Sequence, residues 1–342
     1  MHICVKKPLK YVKHISYACK TMENPAKLET VLMDDPLGEG RIQAVKSSNL
    51  YGGNPVPRRG KVRDVYDMGD HLHIFTTDRI SAFDVVFPTL IPHKGTSLHA
   101  LSVFWFKDTK GVFDNHFVEE LEPRLMKVVK AERVDVEWVC RAYLYGSAWR
   151  AYKRGARTIS GVRLPGGLEM AEELPEVILT PTTKEDVGHD VEISRSQAIE
   201  RGLCTRDEWD ELEEATYRLF ERYRDRAERR GLIIPDFKLE YGRLGDRLIQ
   251  IDEPPTHDSA RFWAKRFYEP GKPQESHCLD KEFLRSFMRH QGYTGEGQPP
   301  EIPWPVVREV SKRCVASYQV LTGKARLEEL DLKTLHQVLG EL

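Results

Sequence analysis

The chain has 342 residues, 40% hydrophobic and 31% charged, with a formal net charge of -1. That length supports a substantial core, most simply one enzyme-sized unit of two lobes, and the near-neutral balance argues against a dedicated nucleic-acid binder. No apolar run is long enough to span a bilayer, so a soluble, cytoplasmic protein with neither a membrane nor a nucleic-acid partner is expected.

Residues 1–50 read as a weakly ordered N-terminal extension, with scattered lysines, no clear period and no signal-peptide core. Tyr51–Arg59, rich in Gly and Pro, is a linker or turn. Gly60-Lys61-Val62-Arg63 then enters a strand, with His71–Thr77 as its hairpin partner. Lys61 and Arg63 would share a face there, and a glycine beside two cations admits the close approach of phosphates. A basic pair on an exposed edge strand is the plainer alternative. Neither a Walker A loop nor a Rossmann glycine fingerprint occurs.

Thr77–Asp84 (TDRISAFD) gathers two acids, an Arg and Ser81, and reads equally as a capped turn. Ile91-Pro92-His93-Lys94-Gly95 leads into a helix over Ser97–Phe106 with Leu98, Leu101 and Trp105 on one face. Val134–Arg141 reads as a strand. Arg141 at its end and Ser147 after Gly146 are anion-binding candidates, while Tyr143 and Trp149 read as packing. Leu179–Glu192 is a dense polar loop carrying Lys184, His189 and Asp190. Thr205–Gly231 is a helix opened by a Thr205/Glu208 capping box and ended by glycine, with Trp209, Leu212, Thr216, Leu219, Tyr223 and Ala227 at helical spacing.

Leu232–Trp263 holds the richest chemistry. If Ile234–Tyr241 is extended, Asp236, Lys238 and Glu240 share one face and Phe237, Leu239 and Tyr241 the other. Arg247–Asp252 returns as a hairpin partner, and the register, which pattern does not fix, decides whether Asp252 joins the charged face. In one register Glu240 and Asp252 oppose each other and suit Mg²⁺ carrying nucleotide phosphates; a solvated strand face is the other reading. Asp258-Ser259-Ala260-Arg261 places an acid, a hydroxyl and a guanidinium in a tight turn that can grip an anion. Asp280–Arg289 and Pro305–Leu321 are closing helices. The six cysteines are scattered without a C-x-x-C pair, which fits buried thiols better than disulfides or zinc.

Eight runs in order closely resemble the SAICAR synthetase (phosphoribosylaminoimidazole-succinocarboxamide synthase) family: RGKVRDVYD, TDRISAFDVVFPTLIPHKG, LSVFWF, CRAYLYGSAWRAY, TPTTKEDVGHD, LIIPDFKLEYG, IDEPPTHDSARFW and DKEFLRSFM. They cover roughly Arg59 to Gly323. Ala260 and Val191-Glu192 depart from the family's usual Ser or small residue and Glu-Asn.

The resemblance implies an α+β, two-lobed fold. Residues 51–135 would form a kinase-like N-terminal lobe with an antiparallel sheet, residues 136–342 a C-terminal lobe with substrate and metal groups, and ATP would lie between them. It implies an ATP- and Mg²⁺-dependent ligase of purine biosynthesis, joining L-aspartate to the carboxylate of carboxyaminoimidazole ribonucleotide (CAIR). A small-molecule kinase and a non-catalytic nucleotide sensor are the alternatives, and a monomer or small homo-oligomer is expected. On this resemblance Lys61, Val62, Arg63, Glu240 and Asp252 bind ATP, the last two holding the metal. Lys238, Asp236 and Arg261 are catalytic, and Arg141, Ser147, Asp258, Ser259, Ser81, Asp84, Lys94, Lys184, His189 and Asp190 surround the substrates.

Overall fold

In the computed structural model, residues 27–184 and 191–342 are described. The chain enters as a hairpin of β1 (Leu28–Asp34) and β2 (Arg41–Ser48). Next come β3 (Arg58–Arg59), β4 (Arg63–Asp67), β5 (His71–Thr76) and a small pair, β6 (Ser81–Ala82) and β7 (Val85–Val86). Helix α1 (Lys94–Asp108) precedes β8 (Phe117–Glu122) and β9 (Leu125–Val129), which complete an antiparallel sheet in the order β3-β4-β5-β9-β8.

The chain passes to a second sheet along β10 (Glu132–Tyr143). Helix α2 (Gly146–Lys153) and the short strands β11 (Thr158–Ile159) and β12 (Val162–Arg163) lead to β13 (Glu173–Leu179) and β14 (Thr182–Thr183). Helices α3 (Arg195–Glu200) and α4 (Arg206–Glu228) precede β15 (Leu232–Ile233), β16 (Asp236–Leu244), β17 (Arg247–Ile251) and β18 (Trp263–Ala264). The second sheet is ordered β13-β10-β16-β17, with β14 also on β10. Helices α5 (Glu282–His290), α6 (Trp304–Leu321) and α7 (Leu335–Leu339) close the chain.

Helix α4 explains which way the second sheet faces. Its capping box forms as expected: Thr205 accepts from the Glu208 N–H, and the Glu208 carboxylate accepts from the Thr205 N–H. The apolar stripe of α4 buries against β10 and β16, with Trp138 and Trp209 rings 4.5 Å apart and Tyr223 edge-on to Phe237. Phe237, Leu239 and Tyr241 are therefore consumed by the core. Strand alternation turns Asp236, Lys238 and Glu240 the other way.

The weakly ordered extension expected up to residue 50 is overturned over Leu28–Ser48. Ala44 and Val45 are fully buried, and Val45 packs with Leu50, Tyr66, Phe75 and Leu125 on one face of the first sheet. The other face packs Ile74, Met126 and Val128 on Val103 and Phe106 of α1. Hairpin, helix and sheet meet at buried Asp78. Its carboxylate accepts from the Val45 N–H at 2.8 Å, the Gly95 N–H at 2.8 Å and Arg124 Nη2 at 2.9 Å. Three aperiodic-looking segments are thus tied by one side chain, which hydrophobic period alone does not reveal. Cys140, Cys204, Cys278 and Cys314 are free and buried. Among the described residues no helix is long and apolar enough to cross a membrane.

Candidate active site

A cleft of about 680 Å³ separates the two sheets. Its floor is the charged face of β10 and β16. The strands pair Glu137 with Glu240, Val139 with Lys238 and Arg141 with Asp236, so two carboxylates sit at one end and a guanidinium and a carboxylate at the other. Lys238 lies between them.

At the carboxylate end, Glu137 and Glu240 share two lysines. Lys238 Nζ lies 2.7 Å from Glu137 Oε1 and 2.6 Å from Glu240 Oε1. Lys184 Nζ, from the loop after β14, lies 2.7 Å and 3.0 Å from the same atoms. Burial opposes the charge on Lys238, but Glu240, Glu137 and Asp252 outweigh it and hold its pKa well above the ordinary lysine value. Burial likewise opposes the Glu240 carboxylate, yet Lys238 and Lys184 pull its pKa down to about 2.

The strands adopt the register that leaves Asp252 off the charged face, yet its side chain still reaches this group. Glu240 pairs with Ile251, so a continuing strand would turn Asp252 away. Instead Asp252 adopts a left-handed backbone, φ 60°, ends the strand and returns its side chain to the cleft. Its Oδ2 lies 3.9 Å from Lys238 Nζ and its Oδ1 3.3 Å from Arg63 Nη1. Burial and the neighbouring Glu240 push its pKa up to about 6, Arg63 and Lys238 notwithstanding. Arg63 also binds Glu253 at 2.7 Å and is buried, so it spans the lobes through carboxylates. Lys61 Nζ lies 2.5 Å from Asp84 Oδ1. Arg79 fixes the loop below it, donating to the carbonyls of Gly60 at 3.0 Å and Lys61 at 3.1 Å.

At the other end Arg261 grips Asp236 with Nη1 at 2.8 and 2.7 Å from its two oxygens and reaches Glu282 at 3.2 Å. Arg141 donates to Asp236 at 3.3 Å, Ser147 Oγ at 3.1 Å and Thr180 Oγ1 at 2.8 Å. Gly146, φ 61°, makes room: a Cβ there would stand 2.5 Å from Arg261 Nη2. Lys281 closes this side, 3.8 Å from Asp258, and burial lowers its pKa to about 8 although Asp258 pulls the other way.

Lys61, Val62, Arg63, Ser81, Asp84, Arg141, Ser147, Lys184, Asp236, Lys238, Glu240, Asp252, Asp258, Ser259 and Arg261 all line the cleft. Lys94 does not; it is fully buried behind the wall, where it holds Asp258 at 2.7 Å. The Ser259 hydroxyl is engaged inside its own turn, donating to the Pro254 carbonyl at 2.7 Å. His189 and Asp190 lie outside the described residues. Sequence reasoning missed Glu137, Glu253, Lys281 and Arg285, which line the same cleft. Glu137 had a signal: two and four residues before Val139 and Arg141, it shares their strand face.

The donor chemistry at the carboxylate end fits a hard divalent cation. Glu240 and Asp252 offer oxygen ligands, and burial, with the neighbouring Glu240, disfavours the Asp252 carboxylate in a way that a cation would offset. Among the described residues no three His, Cys, Asp or Glu side chains form a ready cage.

Comparison with known proteins gives the family of the chain. A sequence model of the family described as SAICAR synthetase matches residues 57–300. The chain is 40% identical over 284 residues to phosphoribosylaminoimidazole-succinocarboxamide synthase of Geobacter sulfurreducens, covering 78% of this chain and 94% of the relative. It is 40% identical over 292 residues to the synthase of Bacteroides thetaiotaomicron, covering 83% and 92%. The structure superposes on SAICAR synthase from Saccharomyces cerevisiae complexed with SAICAR with a TM-score of 0.73 at 33% identity, covering 82% of this chain and 98% of that one. The chain belongs to the SAICAR synthetase family.

Proposed function

We propose that the chain joins L-aspartate to the carboxylate of CAIR at the expense of ATP, giving SAICAR, ADP and phosphate. Membership of an ATP-dependent ligase family of purine biosynthesis supports the reaction. The observation that carries the assignment of parts is the polarity of the β10/β16 floor. Asp236 and Glu240 are four residues apart on one strand, about 13 Å at strand rise. A guanidinium-rich end and a carboxylate-rich end are thus separated by roughly the reach of two ligands meeting head to head, with Lys238 midway.

In this reading Lys61, the Val62 backbone and Arg63 face the ATP phosphates, and Glu240 and Asp252 hold Mg²⁺. Mg²⁺ would screen the phosphate charge so that an oxygen nucleophile can approach. Arg141, Ser147, Asp236 and Arg261 orient the phosphoribosyl nucleotide. Lys238 and Lys184 sit where the CAIR carboxylate meets the γ-phosphate and neutralise the charge gathered there. The carboxylate oxygen takes the phosphoryl group and ADP leaves; the aspartate amine then forms the amide bond, and phosphate departs with the acyl oxygen. Positioning and electrostatics suffice, and no enzyme nucleophile is needed. Asp258, Ser259, Ser81 and Asp84 shape the remaining wall, with Lys94 behind it, and the enzyme works in the cytoplasm on small molecules.

The test is ADP release with Mg-ATP and CAIR, with and without L-aspartate, on wild type and Lys238→Ala. Turnover that requires all three substrates and collapses in the variant supports the reading. ADP release indifferent to CAIR and aspartate overturns it in favour of a kinase, and nucleotide binding without turnover in favour of a sensor.

A further inference from the structure

On the reverse of the first sheet, away from the cleft, two histidines face each other. His71 and His73 sit two apart on β5, so their side chains share a face, and their Nε2 atoms are 3.1 Å apart. Each remaining ring nitrogen is held by oxygen: His71 Nδ1 lies 2.6 Å from Asp70 Oδ1, and His73 Nδ1 contacts the Tyr51 hydroxyl. Tyr51 is fixed in turn by an edge-on contact with buried Tyr66, ring centroids 5.0 Å apart.

Two bonds of about 2.0–2.1 Å from one tetrahedral ion put their nitrogens about 3.3–3.4 Å apart, so a small rotation of either ring from the observed separation admits the ion. An oxygen partner on the far ring nitrogen is the arrangement that orients metal-ligating imidazoles. We propose that the facing His71 and His73 imidazoles form a surface site for a borderline transition-metal dication such as Cu²⁺, Ni²⁺ or Zn²⁺, with Asp70 and Tyr51 as positioning residues.

Without metal, one ring's Nε2–H must point at the other's lone pair. With metal, both Nε2 lone pairs bind the ion, both Nδ1 atoms carry hydrogen, and Tyr51 switches from donor to acceptor. That is a tautomer shift with no change in proton number. His71 keeps about a fifth of its side chain exposed, which leaves an entry path, and water completes the coordination. Lys127, paired with His73 across the ladder, disfavours an extra positive charge, and Glu119 on the next strand opposes it. The site shares no residue with the cleft, so it stands or falls independently of the ligase reading.

Titrating the full chain with CuCl₂ and ZnCl₂ by calorimetry, with Cu²⁺ electron paramagnetic resonance, tests this. Expected is one site per chain with hyperfine structure from two nitrogens and Cu²⁺ bound more tightly than Zn²⁺. His71→Gln and His73→Gln should each weaken that site at least 10-fold, while metal-free melting and Mg-ATP turnover stay unchanged. Asp70→Asn, at an exposed carboxylate, should cost about 10-fold or more in affinity while retaining both nitrogens. Coincident isotherms for wild type and His71→Gln, or a single-nitrogen spectrum in wild type, would overturn the proposal.

Discussion

Glu137→Gln isolates what the paired lysines owe to their second carboxylate. The substitution keeps the shape and an acceptor oxygen but removes the charge that faces Lys238 and Lys184, both at 2.7 Å. A hydrogen bond to a charged group contributes about 1.5–3 kcal/mol. Both lysines keep Glu240 and are about a quarter exposed, so the stability loss should fall to about 1–2 kcal/mol. For a chain of this size that lowers the melting temperature by roughly 1.5–3 °C. If the full bond energy is used to hold Lys238 in the transition state, kcat falls about 10- to 100-fold. KM for CAIR should not rise, because losing an acid makes the cleft more attractive to anions. Thermal melts and coupled ADP-release kinetics over CAIR concentration give both numbers. A variant that melts with wild type and keeps kcat within twofold would refute the idea that Glu137 positions the lysines.

Two other substitutions probe different physics. Asp252 has its pKa pushed up to about 6. Its carboxylate is therefore least costly to the fold below pH 4, and that advantage is lost as pH rises through 6. Asp252→Asn should accordingly raise the melting temperature at pH 8 while abolishing most turnover. In wild type, turnover should gain an acid limb near pH 6, visible in a pH–rate profile as weaker Mg²⁺ activation below it. Gly95→Ala should act on the fold and spare the chemistry: a Cβ there would lie 2.5 Å from the Thr77 carbonyl oxygen. Overpacking of that kind costs about 1–3 kcal/mol. Denaturant melts should shift while KM for ATP holds; an unshifted melt would mean the Asp78 junction yields freely.

Much of the site was legible because strand alternation is strict. Once Phe237, Leu239 and Tyr241 are assigned to a core, Asp236, Lys238 and Glu240 have only one direction left. The Thr205 capping box and its apolar stripe fixed α4 for the same reason, a short-range rule with a strong period. Asp252 lines the cleft, but by a path the sequence does not reveal: a left-handed residue at a strand end breaks the alternation that register arguments assume. Lys94 entered the substrate set through the family resemblance, and what its side chain holds, Asp258, lies 164 positions away, beyond the reach of any local pattern. The β1–β2 hairpin was illegible because most of β1 is exposed, leaving little apolar period to read.

Asp78 has a consequence for how the first lobe comes apart. Its partners lie 33, 17 and 46 positions away, and none can leave without exposing an acid that is completely buried. The Val45 and Gly95 amide hydrogens, though carried by a hairpin and a helix end, should therefore exchange with solvent through one shared opening event. Such distant closures also raise contact order, so this lobe should be slow to assemble and, once assembled, should let go all at once.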